Sequence, residues 1–101
     1  MCGITGFAGY TELGIDTLTR MVKSLNHRGP DDLGMTISNG TGIGMTRLSI
    51  IDIKHGKQPI KSQNGKYSIV FNGEIYNYRQ LNRQLKESGY KFGTESDTEV
   101  I

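Results

Sequence analysis

The chain opens with Met1-Cys2-Gly3-Ile4-Thr5-Gly6-Phe7-Ala8-Gly9, in which the glycine-spaced residues 4–9 predict a short β-strand directly behind a cysteine. Initiator methionine is generally removed when a small residue follows it, and removal leaves Cys2 with a free α-amine beside its thiol. An α-amine titrates at about 7.7–8.0 and a free thiol at about 8.5, so the amine can serve the thiol as a general base. The alternative is that Cys2 is only a small residue near a frayed terminus.

Size and composition predict one small globular domain. The chain has 101 residues, 35% of them apolar, with 14 glycines and a net charge of +2. Disorder is not expected at this apolar content, and so small a charge gives no support to nucleic-acid or membrane-surface binding. The apolar stretches are too short to span a bilayer and no signal peptide is visible, so a cytoplasmic protein is expected.

The single cysteine and the two histidines bear on metal binding. One cysteine cannot form an internal disulfide or a cysteine-based zinc site. His27 and His55 do not stand at metal-ligand spacing with other ligands. No metal site is therefore expected.

The first helix is predicted by apolar residues at helical spacing: Ile15, Leu18, Met21, Val22 and Leu25. Asp16 is a candidate N-cap for this helix. The polar stretch 26–32 follows, and its Gly29-Pro30 pair predicts a loop.

Two Asn-Gly pairs, Asn39-Gly40 and Asn64-Gly65, each predict a hairpin turn. The first follows a strand that alternates over 35–38 and leads into one or two further strands over 43–51. The second leads into residues 67–71, a run of β-formers that suits a buried strand. The middle of the chain is therefore expected to be rich in strands.

The last third of the chain predicts a second helix and the start of a third. Tyr78, Leu81 and Leu85 share one helical face, and Gly89 is well placed as the C′ residue. Residues 96–99, Ser-Asp-Thr-Glu, have the form of a capping box. Since a helix start with no helix behind it suggests a truncated chain, we expect the protein to continue; a frayed polar tail is the alternative.

Five blocks of sequence carry a family resemblance: residues 1–6 (MCGITG), 27–32 (HRGPDD), 47–52 (RLSIID), 72–77 (NGEIYN) and 96–99 (SDTE). Together they resemble the class II glutamine amidotransferases, whose nucleophile is an N-terminal cysteine. The match is closest to the glutaminase domain of glutamine-hydrolysing asparagine synthetase, and it extends from one end of the chain to the other.

The resemblance implies an α+β fold: the N-terminal part of an αββα sandwich of the N-terminal-nucleophile (Ntn) hydrolase type, with mainly antiparallel sheets. It assigns residues 1–101 to the N-terminal half of a type 2 glutamine amidotransferase domain. Family members add a synthetase domain that is absent here. ATP and magnesium are expected only in that missing domain, so no cofactor is expected in this chain.

The resemblance also implies a glutamine site. Its catalytic residues would be Cys2, the nucleophile, and Asn72 and Gly73, which stabilise the oxyanion. Its substrate-binding residues would be Arg47, Leu48, Ser49, Ile50, Ile51, Glu74 and Asp97. Taken locally, Asn72-Gly73 could also be a hairpin turn and Asp97 part of a helix start.

The expected function is hydrolysis of L-glutamine through a cysteine thioester, with release of glutamate and of ammonia for amide formation. The expected partners are glutamine and a synthetase domain, with no nucleic acid or membrane; the oligomeric state stays open. Three alternatives remain. The glutaminase could serve an amidotransferase acting on a sugar or a secondary metabolite. The chain could be a truncated, non-catalytic remnant that binds glutamine or a partner, or a generic β-rich binding module.

Overall fold

The structure is a computed structural model that describes residues 2–9, 12–48 and 56–101. Its elements in chain order are β1 (Gly3–Phe7), α1 (Ile15–Lys23), β2 (Asp32–Ser38), β3 (Thr41–Arg47), β4 (Ile60–Lys61), β5 (Ser68–Ile69), α2 (Tyr78–Glu87) and a 3₁₀ helix, Asp97–Val100. The strands form two sheets, in the orders β1-β3-β2 and β4-β5, and all of their pairings are antiparallel. The prediction of an α+β chain with antiparallel sheets is confirmed.

The three-stranded sheet places β3 between the other two strands. β1 pairs with β3 from Gly3↔Thr46 onward, and β2 pairs with β3 through a tight turn. Asn39 and Gly40 at that turn have φ values of 47° and 73°. A type I′ turn requires positive φ at both central residues, so the predicted first hairpin is confirmed.

α1 packs on one face of this sheet because two glycines of β3 leave room for it. Gly42 and Gly44 lie on the same face, since side chains alternate along a strand. A Cβ at Gly42 would lie 3.2 Å from Leu18 Cδ2, and one at Gly44 would overlap Val22 Cγ2. Leu18 and Val22 are fully buried here, so these glycines set how closely the helix approaches the sheet.

The start of α1 corrects one prediction. Gly14, not Asp16, is the N-cap, and a glycine has no side chain with which to cap the helix. Because the helix begins at Ile15, Asp16 lies inside the first turn, where its charge interacts favourably with the helix dipole. Leu25 lies in the turn beyond the helix, and its carbonyl accepts a hydrogen bond from Thr46 Oγ1 at 3.0 Å.

The second sheet is shorter than the sequence predicts. A loop containing Asn64 joins the two-residue strands, with Asn64 Oδ1 accepting from Ser62 Oγ at 2.8 Å and from Lys66 N at 3.0 Å. The prediction of a buried strand over 67–71 is wrong, because Tyr67 is 72% exposed. Within the described residues β5 pairs only with β4, and Ser68 at its start is also exposed.

α2 ends as the sequence predicts. Gly89 has a φ of 94°, its N–H donates to the carbonyl of Lys86, and the N–H of Tyr90 donates to that of Leu85, both at 3.0 Å. This pair of bonds is the Schellman arrangement, with Gly89 at C′. None of the helices within the described part of the chain has the length and apolar character needed to cross a membrane.

The predicted capping box is half formed. Ser96 is the N-cap, and its Oγ accepts a hydrogen bond from Thr98 N at 3.2 Å. The Glu99 carboxylate does not return to Ser96 N; it accepts from Gly93 N and Thr94 N, each at 2.7 Å. The element is one turn of 3₁₀ helix, and Glu99 ties it to the segment before it.

The close packing of α1 on β3 gives the first prediction. Gly44→Ala should lower the free energy of unfolding by about 1–3 kcal/mol, because the new methyl group overlaps Val22. Urea unfolding followed by circular dichroism measures this. Gly93→Ala is the matched control, since its Cβ would meet only Glu99 Oε1 at 3.8 Å.

A double variant tests the cause of that loss. Val22→Ala removes the atom that the new methyl group meets, so Gly44→Ala should cost less in that background than alone. Equal costs of Gly44→Ala in both backgrounds would contradict contact with Val22 as the source of the destabilisation.

Candidate active site

Five separate stretches of the chain surround a cavity of about 370 Å³. This volume falls in the range of about 300–1,000 Å³ that is common for small-molecule sites. The cavity is lined by Cys2, Arg47, Leu48, Gln58, Phe71, Asn72, Gly73, Glu74, Tyr76, Ser96, Asp97 and Thr98.

Cys2 reaches the cavity because of strand pairing. β1 and β3 are antiparallel, so the residue before β1 lies beside the end of β3. Leu48 N donates to Cys2 Sγ at 3.4 Å, and the thiol points back to the Leu48 carbonyl at 3.8 Å. The cysteine is not in a disulfide and is partly exposed. Its sulfur therefore sits at a fixed place on the cavity wall and remains accessible.

The loop after α1 supports the backbone on which Cys2 and Arg47 stand. Arg28 Nε donates to the Cys2 carbonyl at 3.1 Å, and Asp31 N donates to the Arg47 carbonyl at 3.0 Å. Gly29 is buried against Arg47, and a Cβ there would lie 2.6–2.8 Å from its backbone atoms. The glycine permits this contact, so the loop holds the two strand ends together.

A second wall of the cavity is the segment 71–75, which we call the donor segment. Ile75 N donates to Asp97 Oδ2 at 3.0 Å, and Phe71 N donates to Gln58 Oε1 at 2.6 Å. A Cβ at Gly73 would lie 2.7 Å from Phe71 Cζ, so the Phe71 ring packs closely against Gly73 within this segment. The segment leads to α2, not to a paired strand, so Asn72-Gly73 is not a hairpin turn.

The charges around the cavity suit a zwitterion. Arg47 and Asp97 are 6% and 7% exposed, and Glu74 is exposed at the rim. A guanidinium can bind a carboxylate through two parallel hydrogen bonds, and a carboxylate can accept from an ammonium group. One cation and two anions around the same cavity therefore match the carboxylate and ammonium groups of an amino acid.

The chemical groups at the cavity are a thiol, amide donors and charged side chains. Among residues 2–9, 12–48 and 56–101, no group of three or more His, Cys, Asp and Glu side chains is placed to hold a metal ion. An exposed thiol beside N–H donors is an arrangement suited to acyl transfer, in which the sulfur attacks a carbonyl and the donors bind the oxyanion.

The structure brings together the predicted site residues that it describes. Those on the cavity wall are Cys2, Arg47, Leu48, Asn72, Gly73, Glu74 and Asp97. Ser49, Ile50 and Ile51 lie outside the described residues, as does His55. His27 is exposed and does not line the cavity. The roles assigned to these residues remain predictions.

Sequence reasoning missed other residues that line the cavity, namely Gln58, Phe71, Tyr76, Ser96 and Thr98. Tyr76 and Ser96 stand inside blocks that were singled out, so proximity to those motifs could have found them. Gln58 gives no local signal, because its side-chain partners are 13 and 40 residues away in sequence.

Comparison with known proteins identifies the family. A model of the glutamine amidotransferase domain matches residues 1–101. Asparagine synthetase [glutamine-hydrolyzing] 1 of Bacillus subtilis (strain 168) is 42% identical over 106 residues, covering 100% of this chain and 17% of the relative. Asparagine synthetase [glutamine-hydrolyzing] 1 of Saccharomyces cerevisiae (strain ATCC 204508 / S288c) is 40% identical over 105 residues, covering 100% of this chain and 18% of the relative.

A probable asparagine synthetase [glutamine-hydrolyzing] of Schizosaccharomyces pombe (strain 972 / ATCC 24843) is 48% identical over 79 residues, covering 78% of this chain and 14% of the relative. The chain thus spans only 14–18% of the length of these three relatives. The family model nevertheless covers every residue. The chain belongs to the glutamine amidotransferase domain family.

Proposed function

We propose that this chain is the glutaminase part of an asparagine synthetase-type amidotransferase, hydrolysing L-glutamine to glutamate and ammonia. The observation that carries the proposal is the shared cavity of Cys2, Arg47, Asn72, Gly73 and Asp97, in a chain of this family. Together these groups supply a nucleophile, donors for the oxyanion and charges for the amino-acid end of glutamine.

Cys2 is the nucleophile of the proposed reaction. After removal of Met1, the α-amine of Cys2 takes the thiol proton, and the sulfur attacks the side-chain carbonyl carbon of glutamine. The carbon–nitrogen bond breaks as the amine returns the proton to the leaving nitrogen, giving ammonia and a γ-glutamyl thioester. Water then attacks the thioester, which releases glutamate and restores the thiol.

Asn72 and Gly73 stabilise the negative oxygen of the two tetrahedral intermediates. The Asn72 side-chain amide and the Gly73 backbone N–H are donors on the same cavity wall. Donors held in advance toward a developing oxyanion typically contribute about 2.7–4 kcal/mol to transition-state stabilisation. Support for this role comes from the donor segment, whose two ends are hydrogen-bonded to other parts of the fold.

Arg47, Asp97 and Glu74 bind the amino-acid end of glutamine. Arg47 takes the α-carboxylate, and the two carboxylates take the α-ammonium group. Leu48 lines the pocket beside the sulfur, and we assign the same lining role to residues 49–51, outside the described part of the chain. The low exposure of Arg47 and Asp97 supports binding of charged groups, since buried charges interact strongly.

The finer fold assignment is part of the proposal, and family membership supports it. We propose that residues 1–101 form the N-terminal half of an Ntn-hydrolase αββα sandwich. Two antiparallel sheets and a small apolar core support this, because Leu18, Val22 and Met45 are the buried apolar side chains of the described residues. A larger sandwich would cover the exposed face of β5.

A synthetase domain is the proposed partner of this glutaminase. The relatives are several times longer than this chain, which leaves room for one. The proposed thioester chemistry uses only groups of the chain itself and assigns ATP and magnesium to the synthetase. The names of the relatives favour asparagine as the amide formed, over a sugar or another metabolite.

Replacement of the nucleophile tests the reaction. Cys2→Ala should abolish release of ammonia and glutamate from glutamine, because no thioester can form. Coupled assays of both products measure this, and an intact mass verifies removal of Met1. Lys66→Ala, at an exposed turn, should keep wild-type activity. Equal turnover by Cys2→Ala would contradict the nucleophile, and an inactive wild type would favour a non-catalytic remnant.

A cleavable N-terminal extension tests the role of the Cys2 α-amine separately from that of the thiol. With the extension in place the thiol is present but the α-amine is blocked as an amide, so glutamine hydrolysis should be absent. Proteolytic release of Cys2 as the first residue should restore it. Full activity before cleavage would contradict the α-amine as the base.

Asn72 and Asp97 should affect different kinetic constants. Asn72→Ala should lower kcat roughly 10²- to 10³-fold with little change in KM for glutamine, since the oxyanion exists only during the reaction. Asp97→Asn keeps an oxygen that can accept from Ile75 N but loses the charge, so KM should rise roughly 10- to 100-fold. Steady-state kinetics over glutamine concentration measures both, and the opposite pattern would overturn the two assignments.

A further inference from the structure

Gln58 lies where the donor segment and the 3₁₀ helix meet. Its backbone crosses β2 at Gly34, where a Cβ would overlap the Gln58 carbonyl oxygen. The side chain is half-buried and lines the cavity. The absence of a side chain at Gly34 thus allows a residue between the two sheets to reach the site.

The carboxamide of Gln58 makes two hydrogen bonds, accepting one and donating the other. Its Oε1 accepts from Phe71 N at 2.6 Å, and its Nε2 donates to Thr98 Oγ1 at 3.0 Å. An amide both accepts and donates, whereas a carboxylate only accepts and an ammonium group only donates. Thr98 is 1% exposed, so its hydroxyl is held in a fixed place.

A second hydrogen bond holds the other end of the donor segment to the 3₁₀ helix. Ile75 N donates to Asp97 Oδ2, so residue 75 is bound directly to the 3₁₀ helix, while Phe71 is bound to it through Gln58 and Thr98. Residues 72–74 between these two anchors are exposed on the cavity wall. The two ties together set the distance and orientation of the segment relative to Asp97.

We propose that Gln58 is a positioning residue for glutamine hydrolysis, whose carboxamide fixes the Asn72–Gly73 donors relative to the substrate-binding Asp97. The inference rests on the proposed function of the cavity and goes beyond it by naming what aligns its two halves. Gln58 acts through Phe71, because its Oε1 accepts a hydrogen bond from Phe71 N and Asn72 is the next residue in the chain.

The kinetic consequence distinguishes positioning from simple stabilisation. Loss of the Gln58 bond frees the Phe71 end of the donor segment, whereas Asp97 keeps its own bond to Ile75. Glutamine binding should therefore be retained while the oxyanion donors move away from the transition state. A misplacement of about 1 Å costs on the order of 10²-fold in rate.

The first test compares Gln58→Met with wild type in the full protein. Methionine keeps the length of the side chain but makes neither bond, so kcat should fall on the order of 10²-fold with KM for glutamine nearly unchanged. Gln80→Met, an exposed site on α2, should keep wild-type constants. Wild-type kcat in Gln58→Met, or a fall matched by loss of folded protein in circular dichroism, would overturn the proposal.

The Thr98 end of the linkage has its own matched pair. Thr98→Val should lower kcat because Gln58 Nε2 loses its acceptor. The separate variant Thr98→Ser keeps the hydroxyl and should therefore keep most of the wild-type activity. The double variant Gln58→Met with Thr98→Val should have the same kcat as Gln58→Met alone, since both substitutions break the same linkage. Multiplying effects in the double variant would contradict a shared linkage.

A measurement without turnover keeps this proposal separable from the proposed function. Exchange of the Phe71 amide hydrogen should accelerate in Gln58→Met, because Gln58 Oε1 is its acceptor, while exchange within β3 stays at the wild-type rate. An inactive wild-type protein would overturn the proposed function on its own. Unchanged exchange at Phe71 would overturn the positioning role whether or not the protein hydrolyses glutamine.

Discussion

The antiparallel pairing of β1 with β3 determines where the sulfur of Cys2 lies, because the strand begins one residue after it. Five residue pairs, from Gly3↔Thr46 to Phe7↔Gly42, set the register. A slip of one residue would displace Cys2 by about 3.3–3.4 Å along β3 and would turn every side chain of β1 to the opposite face. The packing of α1 on the glycines of β3 therefore protects the register, and with it the position of the proposed nucleophile.

The apolar core and the far wall of the cavity lie in different parts of this chain. The fully buried apolar side chains, Leu18, Val22 and Met45, lie in α1 and β3, whereas α2 buries none of its residues. The far wall of the cavity is held instead by side-chain to backbone hydrogen bonds, from Phe71 N to Gln58 and from Ile75 N to Asp97. Such bonds are directional, so they orient the donors more narrowly than apolar contact could.

Local signals in the sequence predicted local features well. Asn39-Gly40 needs only its own backbone preference to form the first turn, and Gly89 likewise ends α2. The length and burial of β5 were not predictable, because they depend on which layers cover it. The motif blocks predicted seven residues that the structure places on the cavity wall. They did not predict Gln58, because nothing near it in sequence indicates that its amide will bond to Phe71 and Thr98.

The contacts that build the cavity join residues far apart along the chain. Cys2 meets Leu48 across 46 positions, and Gln58 meets Thr98 across 40. Closing such long loops costs entropy before any contact compensates for it, so these pairs form late relative to the helices and the first hairpin. A nascent chain therefore carries a thiol with no aligned donors and no substrate pocket. In the proposed mechanism, reactivity arises only as the last long-range contacts close, which makes completion of folding a precondition for glutamine hydrolysis.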